Sequence, residues 1–187
     1  ADPANPGVTL AGYAAHGGVQ RLALAAGRWV ERTGYNERRQ VQSIQMGAVG
    51  EPASVWGLSL GYCAGGASSC ASNNGNVLQQ SITPLGATQS YSYDGGNRLA
   101  TASEGAAWSQ TNGYDRWGNR WVSGQAGLPP EGETPISASA FDALTNRIND
   151  GNYDLAGNRE VYGAYALAYD GENRLKTASR TLGGAMT

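Results

Sequence analysis

Tyr153-Asp154-Leu155-Ala156-Gly157-Asn158-Arg159 decides the fold, because the same order of side-chain types returns four more times. The other copies are Tyr93-Asp94-Gly95-Gly96-Asn97-Arg98, Tyr114-Asp115-Arg116-Trp117-Gly118-Asn119-Arg120, Phe141-Asp142-Ala143-Leu144-Thr145-Asn146-Arg147 and Tyr169-Asp170-Gly171-Glu172-Asn173-Arg174. Each reads ring, Asp, two or three residues, then Asn-Arg. The Asp positions are 21, 27, 12 and 16 residues apart, so the motif is tight and the period loose, as in an array whose insertions fall between units.

The chemistry of the motif predicts a turn. Asp94, Asp115, Asp142, Asp154 and Asp170 can accept hydrogen bonds from backbone NH groups two residues on. Gly118 and Gly157 supply a residue with φ > 0, and in the shorter copies Asn97 and Asn173 can do so. Thr145 breaks this pattern because a β-branched residue resists φ > 0, so its turn is expected to be built differently. Phe141, the single Phe, stands where the other copies have Tyr. The ring is therefore expected to matter more than the hydroxyl, packing against its counterpart in the next repeat. Arg98, Arg120, Arg147, Arg159 and Arg174 have two readings: pairing with the Asp of a neighbouring repeat, or lying along the sheet surface.

Residues alternate on both sides of the turns. Gln89-Ser90-Tyr91-Ser92-Tyr93 leads into one motif and Arg98-Leu99-Ala100-Thr101-Ala102-Ser103 leaves it. Tyr165-Ala166-Leu167-Ala168-Tyr169 and Arg174-Leu175-Lys176-Thr177-Ala178-Ser179 do the same for the last. Period-two alternation around a turn is the hairpin signal, so each repeat is expected to be strand, turn, strand. The first half has weaker relatives: Tyr35-Asn36-Glu37-Arg38-Arg39-Gln40-Val41, and a hairpin from Leu58–Tyr62 to Asn74–Leu78 whose turn carries two cysteines. The expected organisation is a tail over 1–7 and one all-β hairpin array over 8–187, with an excursion at Gly127-Leu128-Pro129-Pro130-Glu131-Gly132.

Cys63 and Cys70 enclose six small residues. A disulfide between them and an extracytoplasmic setting are expected, against the alternative of two reduced thiols on a loop. Two thiols and a distant His16 do not make a zinc ligand set.

Composition bounds the rest. Leu, Ile, Val and Phe number only 28 of 187 residues, while 10 Tyr and 5 Trp are present, so the rings are expected to be the packing units. A net charge of −2 opposes disorder, and a single Lys among 13 cationic residues leaves no basic run for nucleic acid. No apolar stretch is long enough to span a bilayer as a helix. His16 has no second histidine and no Gly-x-Ser-x-Gly elbow to work with, so a catalytic triad is not expected. Asp150-Gly151-Asn152-Tyr153-Asp154 starts like a calcium loop, but Leu155 replaces the Gly and Val161 the bidentate Glu. Gly95-Gly96 and Gly183-Gly184 lack the Lys-Ser/Thr of a phosphate loop. No cofactor, metal or catalytic residue is nominated.

The repeated motif closely resembles the YD repeats of the Rhs family, found in bacterial Rhs proteins, in the shell-forming component of Tc toxin complexes and in teneurins. The resemblance implies hairpins laid side by side in a long spiralling sheet that closes into a hollow shell, in bacterial members around a toxic or effector segment. It implies a non-enzymatic strip of that wall, secreted or on the bacterial surface, with neighbouring repeats and an enclosed polypeptide as partners. The Asp-Pro-x-Gly-Leu-like core with its self-cleaving aspartate has no match here, which makes a partial segment the expectation. Edge strands predict self-association. The rival reading is an adhesion or carbohydrate-binding module that exposes Trp108, Trp117, Trp121 and the motif tyrosines.

Overall fold

The computed structural model describes residues 8–129, 134–149 and 152–180. The head of the chain, residues 130–132 of the 127–132 excursion, Asp150-Gly151 of the calcium-like run and Gly183-Gly184 lie outside them.

Regular structure among the described residues is almost all β. Strands β1 (Val8–Tyr13), β2 (Val19–Leu24), β3 (Trp29–Tyr35), β4 (Val41–Ala48), β5 (Glu51–Gly61), β6 (Gln79–Thr83), β7 (Ala87–Tyr93), β8 (Leu99–Glu104), β9 (Trp108–Tyr114) and β10 (Arg120–Ala126) are hydrogen-bonded in sequence order. Strands β11 (Val161–Tyr162), β12 (Tyr165–Tyr169) and β13 (Leu175–Arg180) make a second, three-stranded sheet. Two compact units result, Ala1–Thr111 with Gln125–Leu128 and Asn112–Gly124 with Pro129–Thr187, the boundary passing through β9 and β10.

In the first unit antiparallel neighbours follow one another along the chain, as hairpin meanders should. Strand β7 shows why these residues choose a sheet: Ala87, Gln89, Tyr91 and Tyr93 are half-buried and the residues between them exposed. On the exposed face hydroxyls pair across strands, Ser81 with Thr88 and Ser92 with Thr101. On the other face the Gln80 amide donates to Gln89, and Gln89 donates to Glu104. Such cross-strand pairs contribute a few tenths to about 1 kcal/mol each. The hairpin with the cysteines begins at Gly61 opposite Gln79, so Asn74–Val77 belongs to the long connection and not to a strand.

A register shift recurs at the ring that precedes a turn. It lies between Gly12 and Tyr13, Gly34 and Tyr35, and Ser92 and Tyr93, and in the second unit between Ala168 and Tyr169. A β-bulge bends the strand and raises its twist, which re-aims the side chain at that point.

The expectation that rings form a core is corrected. Among the described residues the buried apolar side chains are small: Ala23, Val30, Cys63 and Ala102 in the first unit, Val122 in the second. The rings of Tyr35, Tyr62, Tyr91 and Tyr93 lie half-buried on the sheet. Large rings on an open sheet cover their neighbours without being enclosed themselves. The strand-turn-strand pattern also fails for two repeats in the second unit. Phe141 and Tyr153 each start a turn closed by a single bridge, Phe141 to Ile148 and Tyr153 to Arg159.

Candidate functional site

The motif residues gather at the turns. In Asp94–Arg98 the Asp94 NH donates to the Arg98 carbonyl at 2.9 Å and the Asn97 NH to the Asp94 carbonyl at 3.0 Å. The same pair of backbone bonds closes Ala14–Gly18, Asn36–Gln40, Asp115–Asn119, Asp154–Asn158 and Asp170–Arg174. The fourth residue of each has positive φ: Gly17, Arg39, Asn97, Gly118, Gly157 and Asn173. The turn at Asp142 is one residue longer. Asn146, not Thr145, takes φ of 59°, and Thr145 instead donates both its NH and its hydroxyl to Asp142 Oδ1.

The first residue organises each turn. Asp94 Oδ1 accepts the NH groups of Gly96 and Arg98, and Oδ2 accepts Arg98 Nε at 2.8 Å with Nη2 at 2.7 Å. Asp170 repeats the scheme with Glu172 and Arg174, whose Nε lies 2.9 Å from Oδ2. In the longer copies the Asn at the fifth position replaces the Arg: Asn119 Nδ2 donates to Asp115 Oδ2 at 2.8 Å, and Asn158 Nδ2 to Asp154 Oδ2 at 2.9 Å. The Asn-Arg pairs that align in sequence are therefore offset by one in space. Neither earlier reading of the Arg describes Arg98 or Arg174, which pair with the Asp of their own turn. Arg120 reaches Asn112 Oδ1 at 2.9 Å, and Arg147 lies over the Tyr153 ring and Arg159 over the Tyr162 ring.

These bonds hold all five carboxyls below the ordinary Asp range. The Arg98 side chain does most for Asp94, the Asn158 amide for Asp154, the Thr145 NH for Asp142 and the Arg174 NH for Asp170. At Asp115 partial desolvation pushes upward, and the donors of Asn119 and Trp117 together outweigh it.

Asparagines link one turn to the next. In the first unit Asn74 Nδ2 and Asn76 Nδ2 both donate to Asn97 Oδ1, at 2.9 and 3.0 Å. In the second, Asn119 donates to Asn146 Oδ1 and Asn158 to Asn173 Oδ1. The buried Asn73 exchanges amide bonds with Gln40 and accepts Arg38 Nη1 on its carbonyl at 2.7 Å. Asn73 follows the loop closed by a Cys63–Cys70 disulfide, with Cα atoms 5.9 Å apart.

The tyrosine hydroxyls form a second link that the sequence reading missed. Tyr35 donates to the Val19 carbonyl at 2.8 Å, Tyr62 to Val41 at 2.7 Å and Tyr93 to Val77 at 2.9 Å. Each acceptor is the residue just after the preceding turn or loop, and Val19 and Val41 are the strand partners of Tyr13 and Tyr35. At these positions the hydroxyl, and not the ring alone, fastens one hairpin to the previous one. The signal available in sequence was a Val after each preceding turn. Burial raises the phenols of Tyr62, Tyr91 and Tyr93 above their ordinary value.

Little of this assembles reacting groups. His16 is exposed in its turn with its ring edge-on to Tyr35 at 4.6 Å. No group of three His, Cys, Asp or Glu that could hold a metal ion occurs among the described residues, and no helix there is long and apolar enough to cross a membrane. A cleft of about 400 Å³ in the second unit is lined by Asp115, Trp117, Phe141, Asp142 and Asn146, and Trp117 is 63% exposed with the Arg116 guanidinium over its ring.

Fold and turn edge together define a repetitive antiparallel hairpin protein whose motif residues serve the joints between hairpins. No family model and no curated protein sequence matches the chain. Its fold is found in the solved structure of the Photorhabdus luminescens Tc holotoxin pore, with a TM-score of 0.61 over 95% of this chain at 14% identity. The chain spans 10% of the length of the chain it matches there.

Proposed function

We propose that the chain is a non-catalytic structural segment of an Rhs-type, YD-repeat wall that encloses or scaffolds a polypeptide, in a secreted or surface-displayed bacterial protein. The observation that carries this reading is the use of motif residues. Asp organises the turn, Asn ties turn to turn, and in the first unit Tyr fastens hairpin to hairpin. Residues committed to joints leave few for chemistry, and the shared fold with a Tc holotoxin structure supports the same role. The partners on this reading are further repeats, meeting the exposed edge strands, and an enclosed polypeptide. Sedimentation velocity over a concentration series, with negative-stain microscopy of the associated fraction, tests it. Association into curved sheets is expected, and a strictly monomeric profile at high concentration counts against it.

A second reading, carbohydrate binding or adhesion, rests on Trp117 and its cleft. A sugar-array screen followed by titration of tryptophan fluorescence separates the two. Saturable quenching lost in Trp117→Ala would favour the second reading, and a flat titration the first.

A further inference from the structure

The fourth residue of the five-residue turns is Gly17, Asn97, Gly118, Gly157 or Asn173, the two residue types that adopt positive φ at least cost. The turn Asn36–Gln40 puts Arg39 there, with φ of 63°. A long branched-head cation strains this backbone and gives the turn nothing that Gly or Asn would not, so its presence points outward. Ala25, Ala26 and Ala53 also have positive φ, but they carry no functional group.

Arg39 is exposed, and while its backbone NH closes the turn on Asn36, its guanidinium makes no hydrogen bond or ion pair with any described residue. It lines an open cleft of about 600 Å³ together with Glu37, Arg38, Gln40, Asn73 and Asn74. The amides there are committed: Gln40 and Asn73 bond each other, and Asn74 bonds Asn97. Arg38 gives one nitrogen to the Asn73 carbonyl, which holds its guanidinium beside the loop closed by the disulfide. What the cleft has left to offer is guanidinium NH, one side chain anchored and one free. Guanidinium forks match carboxylate and phosphate oxygens. Glu37, itself unpaired, lowers the local positive charge and argues for modest affinity.

We infer that this cleft binds an oxyanion of the carboxylate or phosphate type, gripped by Arg39 and oriented by the anchored Arg38. The site is independent of the wall reading, since a structural segment needs no such ligand.

The test uses the full chain and two probes at low ionic strength, inorganic phosphate and a hexaglutamate peptide, followed by amide NMR shifts. Saturable shifts confined to 36–40 and 73–75, weakening as salt is added, are expected with one probe or both; the responding probe names the source of the oxyanion. Arg39→Gly keeps the turn, because Gly suits this φ, and should bind at least about tenfold more weakly, as loss of a charge-assisted contact predicts. The proposal fails if neither probe saturates, if Arg39→Gly binds as tightly as the parent, or if shifts spread equally to the turns of Arg98 and Arg174.

Discussion

The Tyr93 hydroxyl donates to the backbone carbonyl of Val77 at 2.9 Å, and it joins the end of β7 to the residue that leaves the long loop before β6. Tyr62 with Val41 and Tyr35 with Val19 repeat the relationship one and two hairpins earlier. Tyr93→Phe keeps the ring and removes only this bond, so it should destabilise the chain by about 1 kcal/mol in urea unfolding. An unchanged midpoint would mean that the ring alone does the fastening. The raised phenols of Tyr62, Tyr91 and Tyr93 add a check: they should ionise above about pH 10, and stability should fall as pH rises through their folded values.

The five turn carboxyls predict acid sensitivity with a definite sign. Each titrates below the ordinary Asp range in the folded chain, so its stabilisation is present above the unfolded value of about 3.9 and is lost as pH falls through the folded value. Melting temperature should be level above about pH 5 and decline below about pH 4. Asp154→Ala removes the acceptors for Asn158 and should lower the melting temperature at neutral pH. Asp154→Asn keeps one acceptor, as Asn36 does in its own turn, and should cost less while flattening the acid limb. Equal melting temperatures for Asp154→Ala and the parent would remove the turn role.

The disulfide closes the loop that delivers Asn73 to Gln40 and Arg38. Replacing Cys63 and Cys70 by Ser frees that loop and should cost about 2.5 kcal/mol in the chain-entropy model. Hydrogen exchange should report the loss first at 36–40 and 73–76. Exchange unchanged there would show that the loop holds its place without the bridge.

Gly47 is buried where β4 meets the start of β5, and a Cβ there would collide with the Glu51 carbonyl and the Ser54 side chain. Gly47→Ala should destabilise the chain by about 1 to 3 kcal/mol, because the colliding atoms are largely backbone. Gly50→Ala, two residues into the adjoining turn, has open space around its Cβ position and serves as the control in the same denaturation series.

How much of this was legible in the sequence depends on the range of the interaction. The turns were readable because an Asp reaching NH groups two and four residues on, and a Gly or Asn at φ > 0, are events inside five residues. Asp94 with Gly96, and Asp154 with Gly157 at φ of 91°, need no knowledge of the rest of the chain. The strands around Tyr93 and Tyr169 were readable because alternation is local too.

What the tertiary structure decided lies between hairpins. Aligned by letters, Arg98 matches Arg120; folded, Arg98 shares its place with Asn119, because the turn counts residues from the Asp and not back from the Arg. The hydroxyls of Tyr35, Tyr62 and Tyr93 find carbonyls 16 to 21 residues upstream only after a bulge or loop has set the strand register. The small buried set of Ala23, Val30, Cys63, Ala102 and Val122 could not be read from composition, since burial depends on what covers a sheet face. Sequence by itself determined a β-hairpin repeat with Asx-type turns, through forces that act within a few bonds of each Asp. Which side chains join one hairpin to the next was decided by register and twist, which exist only once the strands have paired.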